Sequence, residues 1–124
     1  DIKKFQERGK KMIEQFNKIG HNGNLTQGEN IADLVGLSFA YNAAFPENKG
    51  QIEDKKKFFV AYGRVWCNVM REKTKEMQLK TDPHSLGYAR INEQVKHQSG
   101  FQEAFSCKAN NKLYLDEEKR IKIW

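Results

Sequence analysis

Apolar side chains at Ile2, Phe5, Met12, Ile13, Phe16 and Ile19 recur at three- and four-residue spacing, with Lys and Glu filling most positions between them. That period predicts an amphipathic helix over 1–19 that buries one face. Gly20-His21-Asn22-Gly23-Asn24 consists of turn formers and leads into Thr26-Gln27-Gly28-Glu29, which has the order of a capping box. A second helix is expected to open there, run to about Ala44 and stop before Pro46, because proline disfavours the helical conformation in the residue ahead of it. After a polar loop over 47–51, Phe58, Phe59, Tyr62, Val65, Trp66, Val69 and Met70 again fall at helical spacing. They predict a third helix, the most apolar of the chain, continuing in a more polar stretch to about Lys80. Asp82-Pro83 forces a turn and Gly87 extends an irregular segment over 81–96, which has little of its own to pack on and is expected to lean on a partner segment missing from this chain. Ser99 and Gln102 have capping-box spacing and should open a short helix through Phe101, Ala104 and Phe105. Asn110-Asn111 marks a turn, and Ile121, Ile123 and Trp124 close the chain in alternation. The fold class read from this pattern is mainly α, with several elements around a core of single-domain size.

Composition narrows the picture without naming a partner. Ile, Leu, Val and Phe make up 28 of 124 residues, enough apolar mass for a core, while 22 basic and 16 acidic side chains leave a net charge of +6. The longest weakly polar run, Leu34 to Tyr41, is eight residues, against the roughly 20 a spanning helix needs. The chain opens on Asp1 rather than Met, without the charged, apolar, small-residue order of a signal peptide, so a processed or excised chain is expected. Cys67 and Cys107 stand forty positions apart with no C-x-x-C spacing; they can pair with each other or with cysteines elsewhere, and either pairing implies an oxidising compartment.

Two clusters can carry chemistry. Glu29 and Asp33 are four residues apart, so both carboxylates project from one side of the second helix and together suit a cation. The same spacing also fits a capping role for Glu29 and the favourable placing of acids near a helix start. The second cluster is Thr81-Asp82-Pro83-His84-Ser85-Leu86-Gly87-Tyr88-Ala89-Arg90, where an acid, a histidine and an arginine share an irregular segment. Asp82 can hold one ring nitrogen of His84 and leave the other aimed at a substrate oxygen. His21 and His97 receive no role. The basic runs Lys3-Lys4, Lys10-Lys11 and Lys55-Lys56-Lys57 are spread over separate helices among Glu and Gln, which describes a solvated face; no nucleic-acid partner is expected.

The runs G-E-N-I-A-D at 28–33, V-W-C at 65–67, T-D-P-H-S-L-G-Y-A-R at 81–90, F-Q-E-A-F-S-C at 101–107 and the terminal R-I-K-I-W resemble, in order and spacing, the C-terminal end of the neprilysin family of zinc metalloendopeptidases. The resemblance covers nearly the whole chain. It implies that residues 1–124 are the C-terminal, helical part of a thermolysin-like catalytic lobe. It places Glu29 as the third zinc ligand beside two histidines of an upstream H-E-x-x-H helix. Asp33 becomes the group behind one of those histidines, fixing its tautomer. His84, oriented by Asp82, becomes the oxyanion stabiliser, and Arg90 the group that binds a substrate carbonyl. Val65 and Trp66 become walls of the pocket for the side chain after the scissile bond, which suits a large apolar residue there.

Several positions depart from the family pattern. Val35 stands where the first of two glycines is usual, and Pro83 and Leu86 place the proline of the T-D-V-H-S-P-G form elsewhere. Met12 and Ile121 occupy positions that a disulfide joins in vertebrate members. Cys67 and Cys107 match cysteines that pair with partners far upstream, which implies a secreted, periplasmic or membrane-anchored protein rather than a cytoplasmic one. The H-E-x-x-H segment and the helical covering lobe are not in these residues. The chain alone is therefore expected to be inactive, its partners being peptide substrates and the upstream polypeptide; a non-catalytic peptide-binding fragment or pseudopeptidase is the alternative.

Overall fold

The computed structural model describes residues 1–123, so Trp124, the end of the R-I-K-I-W run, lies outside the described residues. Helix α1 (Ile2–Lys18) follows the predicted period and buries Met12 and Phe16 completely. It ends where Gly20 takes a positive φ of 86°. There the amide of His21 donates to the Phe16 carbonyl (3.1 Å) and that of Gly20 to Asn17 (3.1 Å), the paired closure that a left-handed glycine allows.

Helix α2 (Gly23–Ala44) opens about one turn earlier than the capping-box spacing suggests. Asn22 caps it, its side chain accepting from the Leu25 amide at 3.1 Å. Thr26 therefore sits inside the helix, buried, with its hydroxyl donating to the Asn22 carbonyl (3.0 Å). Gly23 is the point where α2 crosses α1: a Cβ there would lie 2.2 Å from the Ile13 carbonyl oxygen, so only glycine lets the backbones approach so closely. The far end behaves as expected, with Phe45 closing the helix ahead of Pro46.

The single long helix expected from Phe58 to Lys80 is instead two. Helix α3 (Ile52–Val65) stops at Trp66, residues 67–71 are irregular, and helix α4 (Glu72–Thr81) buries no residue. Val65 and Val69, which the period counts as core, are 69% and 103% exposed. At the break Trp66 stacks on Arg90, 3.6 Å from the guanidinium, a tertiary contact that local spacing does not encode.

The segment over 81–96 also departs from expectation. Most of it is helix α5 (Gly87–Val95), and it packs on this chain's own α1 and α2 rather than on a missing segment. Its buried face carries polar residues. Gln94 donates to the Asn30 carbonyl at 3.0 Å, although its own Oε1 is buried without a partner among the described residues, and Gln15 of α1 donates to the Glu93 carboxylate at 2.7 Å. Helix α6 (Ser99–Ala104) falls where expected, although Gln98 rather than Ser99 precedes its first turn and no side chain caps it. Among the described residues there is no strand.

α2 is the spine between two apolar clusters. One joins Met12, Phe16, Leu34, Ala89, Ile121 and Ile123; Met12 and Ile121, the two positions a disulfide joins in vertebrate relatives of the resembled family, thus meet in a common hydrophobic cluster. Val35 packs against the same cluster, so the branched side chain in the usual glycine position is taken up within this chain. The other joins Leu37, Tyr41, Phe45, Phe59, Val95 and Phe101, with Tyr41 and Phe59 stacked at 5.2 Å and Phe59 edge-on to Phe101 at 5.3 Å.

The C-terminal segment is pinned to this core by His97. Its Nδ1 accepts from the Ile121 amide (3.0 Å) and its Nε2–H donates to Gln15 Oε1 (2.7 Å), so the ring is neutral in the fold. Burial, and then the charges of Lys96 and Arg120, push its pKa from 6.5 down to about 4. The unfolded chain takes up this proton near pH 6.5 and the folded one only near 4. The stabilisation is therefore complete above the unfolded value and is lost as pH falls from there to 4, a change of about 3 kcal/mol. His21, also lowered by burial, adds in the same direction. Thermal unfolding followed between pH 7.5 and 4 should show a falling midpoint, and His97→Gln should flatten that fall; a midpoint independent of pH in this window contradicts the assignment.

Candidate active site

Six of the seven residues singled out in the sequence converge on one side of α2. Glu29 and Asp33 lie one turn apart on that helix. The turn at Asp82-Pro83 brings His84 back toward it: the His84 amide donates to Asp82 Oδ1 (2.8 Å), and the His84 ring places Nδ1 2.8 Å from the same oxygen. These hydrogen bonds, the backbone one first, hold the Asp82 carboxyl below its usual range. With Nδ1–H engaged by Asp82, Nε2 is left as the outward atom, 3.5 Å from Glu29 Oε2. Both side chains are about half exposed, at 46% and 43%, so the Glu29–His84 face is open to solvent.

Arg90, from the first turns of α5, reaches the opposite end of this group. Its Nε and Nη2 donate to the two oxygens of Asp33 at 2.7 and 2.8 Å, a two-bond fork that raises the arginine pKa further. The guanidinium lies 3.6 Å from the centre of the Trp66 ring, so one face is covered by an aromatic surface. The Tyr62 hydroxyl donates to the Arg90 carbonyl at 2.7 Å, and burial, followed by the Asp33 charge, pushes its phenol pKa upward. The charged pair is nearly enclosed, with side-chain exposures of 13% and 12%, which explains why it needs both the fork and the stack.

Gly87 makes this assembly possible. A Cβ there would sit 2.3 Å from the Trp66 carbonyl oxygen, so α5 begins in direct contact with the end of α3. Gly87→Ala should push the two helices apart and destabilise the protein by about 1–3 kcal/mol, the cost of overpacking a close contact. Urea unfolding measures it, and an unchanged midpoint contradicts this packing.

Val65, the seventh residue, is exposed and stands apart from these contacts. Trp66, Met70, Leu86, Tyr88 and Ile91 line a cavity of about 300 Å³ that does not include Val65. Sequence reasoning missed three contributors: Tyr62, Asn30 and His21. The signal for Asn30 was its place four residues after Thr26 on the buried side of α2, where its amide donates to the Thr26 hydroxyl at 2.9 Å. His21 accepts the Leu86 amide at 3.1 Å, a donor that a proline at that position lacks.

Among the described residues no group of three or more His, Cys, Asp or Glu side chains is arranged so that it could hold a metal ion. Glu29 nevertheless fits one place in a zinc shell: a half-exposed carboxylate, held on a rigid helix, with an imidazole edge beside it.

Residues 1–121 match peptidase family M13. The chain belongs to this family, the neprilysin family of metallopeptidases, whose members hydrolyse peptides. It is 36% identical to Neprilysin-1 of Caenorhabditis elegans over 98% of its own length, and 33% identical to a neutral endopeptidase of Lactobacillus helveticus over 100%. It is 32% identical to neprilysin of Homo sapiens over 97% of its length. The chain spans only 18–19% of the length of these relatives. No solved structure matches it.

Proposed function

We propose that residues 1–124 form the C-terminal part of the catalytic domain of a longer zinc-dependent endopeptidase, with Glu29 contributing one zinc ligand and an upstream H-E-x-x-H helix the other two. The observation that carries this reading is the convergence of Glu29 and Asp33 with Asp82, His84 and Arg90 from two separate stretches of sequence: Asp82–His84 and Asp33–Arg90 are hydrogen-bonded, and His84 lies 3.5 Å from Glu29. When bound, zinc supplies Lewis-acid polarisation for attack of water on a peptide carbonyl. The chain's own residues do the rest of what is assigned here. Glu29 offers a carboxylate oxygen to the metal. Asp82 holds Nδ1 of His84, so the ring keeps its orientation and presents Nε2 toward the developing oxyanion. Arg90, clamped by Asp33 and Trp66, keeps donors for a substrate carbonyl. Trp66 borders the pocket for the residue after the scissile bond, which favours cleavage on the N-terminal side of large apolar residues; Val65, exposed and outside the Trp66 cavity, lines no part of it within this chain.

The outward side of α2 supports a larger parent. Gly28, Ala32, Gly36 and Phe39 lie there, an apolar surface on a helix already buried on its inner side, with Phe39 63% exposed. Cys67 is exposed and Cys107 half-buried, both unpaired with each other, which fits disulfides to upstream cysteines and an extracytoplasmic setting. No helix among the described residues is long and apolar enough to cross a membrane. The chain alone lacks two ligands and is inactive in this reading.

The test is hydrolysis of peptides bearing Phe or Leu after the scissile bond by the purified full-length protein, before and after chelation and with zinc restored. Cleavage that is lost on chelation and regained with zinc is expected. A full-length protein that binds these peptides without cutting them establishes the non-catalytic peptide binder instead.

A further inference from the structure

His84 is about half exposed, and among the described residues its ring nitrogens lie against the carboxylates of Asp82 (2.8 Å) and Glu29 (3.5 Å). Asp82 belongs to the same loop and cannot by itself fix where that loop sits relative to α2. The residues immediately after His84 do so. Ser85, 2% exposed, donates its hydroxyl hydrogen to Asn30 Oδ1 at 2.7 Å, and Asn30 is fully buried beside Glu29 in sequence. Asn30 is in turn held by the Thr26 hydroxyl (2.9 Å), which is tied to the Asn22 carbonyl at the start of α2 (3.0 Å). One residue further, the Leu86 amide donates to Nε2 of the buried His21, at the α1–α2 junction, at 3.1 Å. On the outer side, Gln78 of α4 donates to the carbonyls of His84 and Ser85 at 3.2 and 3.3 Å.

The geometry points to Asn30 and Ser85, with His21 behind Leu86, as positioning residues: a buried clasp that sets the register between the loop bearing His84 and the helix bearing Glu29. This rests on the proposed peptidase reading, because positioning matters only if His84 and Glu29 act on one substrate. The Ser85–Asn30 bond links the neighbours of the two site residues directly, in an enclosed place where no water competes for either partner. A shift of about 1 Å in His84 relative to Glu29 is enough to cost roughly 100-fold in a positioned reaction. Without the Ser85 hydroxyl, Asn30 Oδ1 loses its donor and the loop loses its side-chain hydrogen bond to α2, keeping the backbone bonds to His21 and Gln78 and the buried Leu86 side chain.

Ser85→Ala in the full-length protein tests this, with hydrogen exchange over 83–88, zinc content and steady-state kinetics read together. The expected result is loss of amide protection in 83–88, zinc content unchanged, and kcat lowered about tenfold or more with KM within about twofold. Phe101→Leu, in the distant aromatic cluster, serves as a control for lost stability alone and should leave kcat unchanged. Asn30→Ala and the double variant complete a cycle in which the double loses no more than the single, because both remove the same bond. Should Asn30→Ala fail to fold, Ser85→Ala still decides. Unchanged kcat in a Ser85→Ala protein whose wild type is active overturns the clasp, as does protection equal to wild type. A wild type that cleaves no peptide overturns the peptidase reading and the positioning role with it, and is recognised before any variant is made.

Discussion

Glu29→Gln in the full-length protein is expected to weaken zinc binding by more than the roughly 10–100-fold that loss of an outer hydrogen-bond partner causes, because the substitution alters a donor to the metal itself. Purely structural roles for this carboxylate are already filled by its neighbours. Glu29 is not a helix cap, since Asn22 takes that place a full turn earlier. It is not part of the Arg90 pair, which Asp33 satisfies with both oxygens. Its carboxylate is half exposed and meets only the outward edge of His84, at 3.5 Å. On a rigid helix, a carboxylate so placed is free to face a metal. Competition with a zinc-selective chromophoric chelator measures the affinity, and wild-type affinity in Glu29→Gln removes Glu29 from the metal.

His84→Ala should divide differently. Zinc content should stay at the wild-type level while kcat falls about 100- to 1,000-fold, the range for losing one preorganised oxyanion donor. The ring is exposed and supports no core packing, so stability should change little. Asp82→Asn should give a smaller loss, because it leaves His84 in place and weakens only the hydrogen bonds that orient it. Single-turnover kinetics on a peptide ester and a peptide amide separate binding from chemistry. If peptide cleavage by His84→Ala equals wild type, the oxyanion role is wrong.

Much of this site was readable from residues alone because its groups lie in short, dense runs. Glu29 and Asp33 share a helix, and their relation follows from the helical period once the helix is granted. Asp82 and His84 are two residues apart beside a proline, and a turn there brings the carboxylate back to the ring with no help from elsewhere. What was not readable depends on contacts far apart in sequence. The last turn of α3 holds Gly63, but no glycine or proline follows over 64–71 and the helical period runs on through Val69 and Met70; the stack of Trp66 on Arg90, across an intervening helix and loop, is a contact that the period does not record. Helix α5 was hidden for a different reason. Its buried residues are Gly87, Ala89, Glu93, Gln94 and Val95, mostly small or polar with one valine, so much of its burial is written in hydrogen bonds to α1 and α2 that a hydrophobic pattern does not record. The capping box at Thr26 misled because Asn22, inside what looks like a plain turn, is an equally good cap and lies where α1 and α2 already touch at Gly23.

The same distinction explains why His21 and His97 read as featureless. Each sits in a polar or turn-rich run, yet each is a buried acceptor for one backbone amide, of Leu86 and Ile121 respectively. Their work is to hold a loop and a chain end against the core, and it shows only when the three-dimensional partners are known.

Zinc stoichiometry, measured side by side on the 124-residue chain and on the full-length protein, tests the central claim most directly. One zinc per full-length molecule, and none retained by the 124-residue chain after dialysis, is the predicted result, since in the proposed reading this chain carries a single ligand and the parent the other two. Stoichiometric zinc held by the chain alone, or none in the full-length protein, contradicts the account.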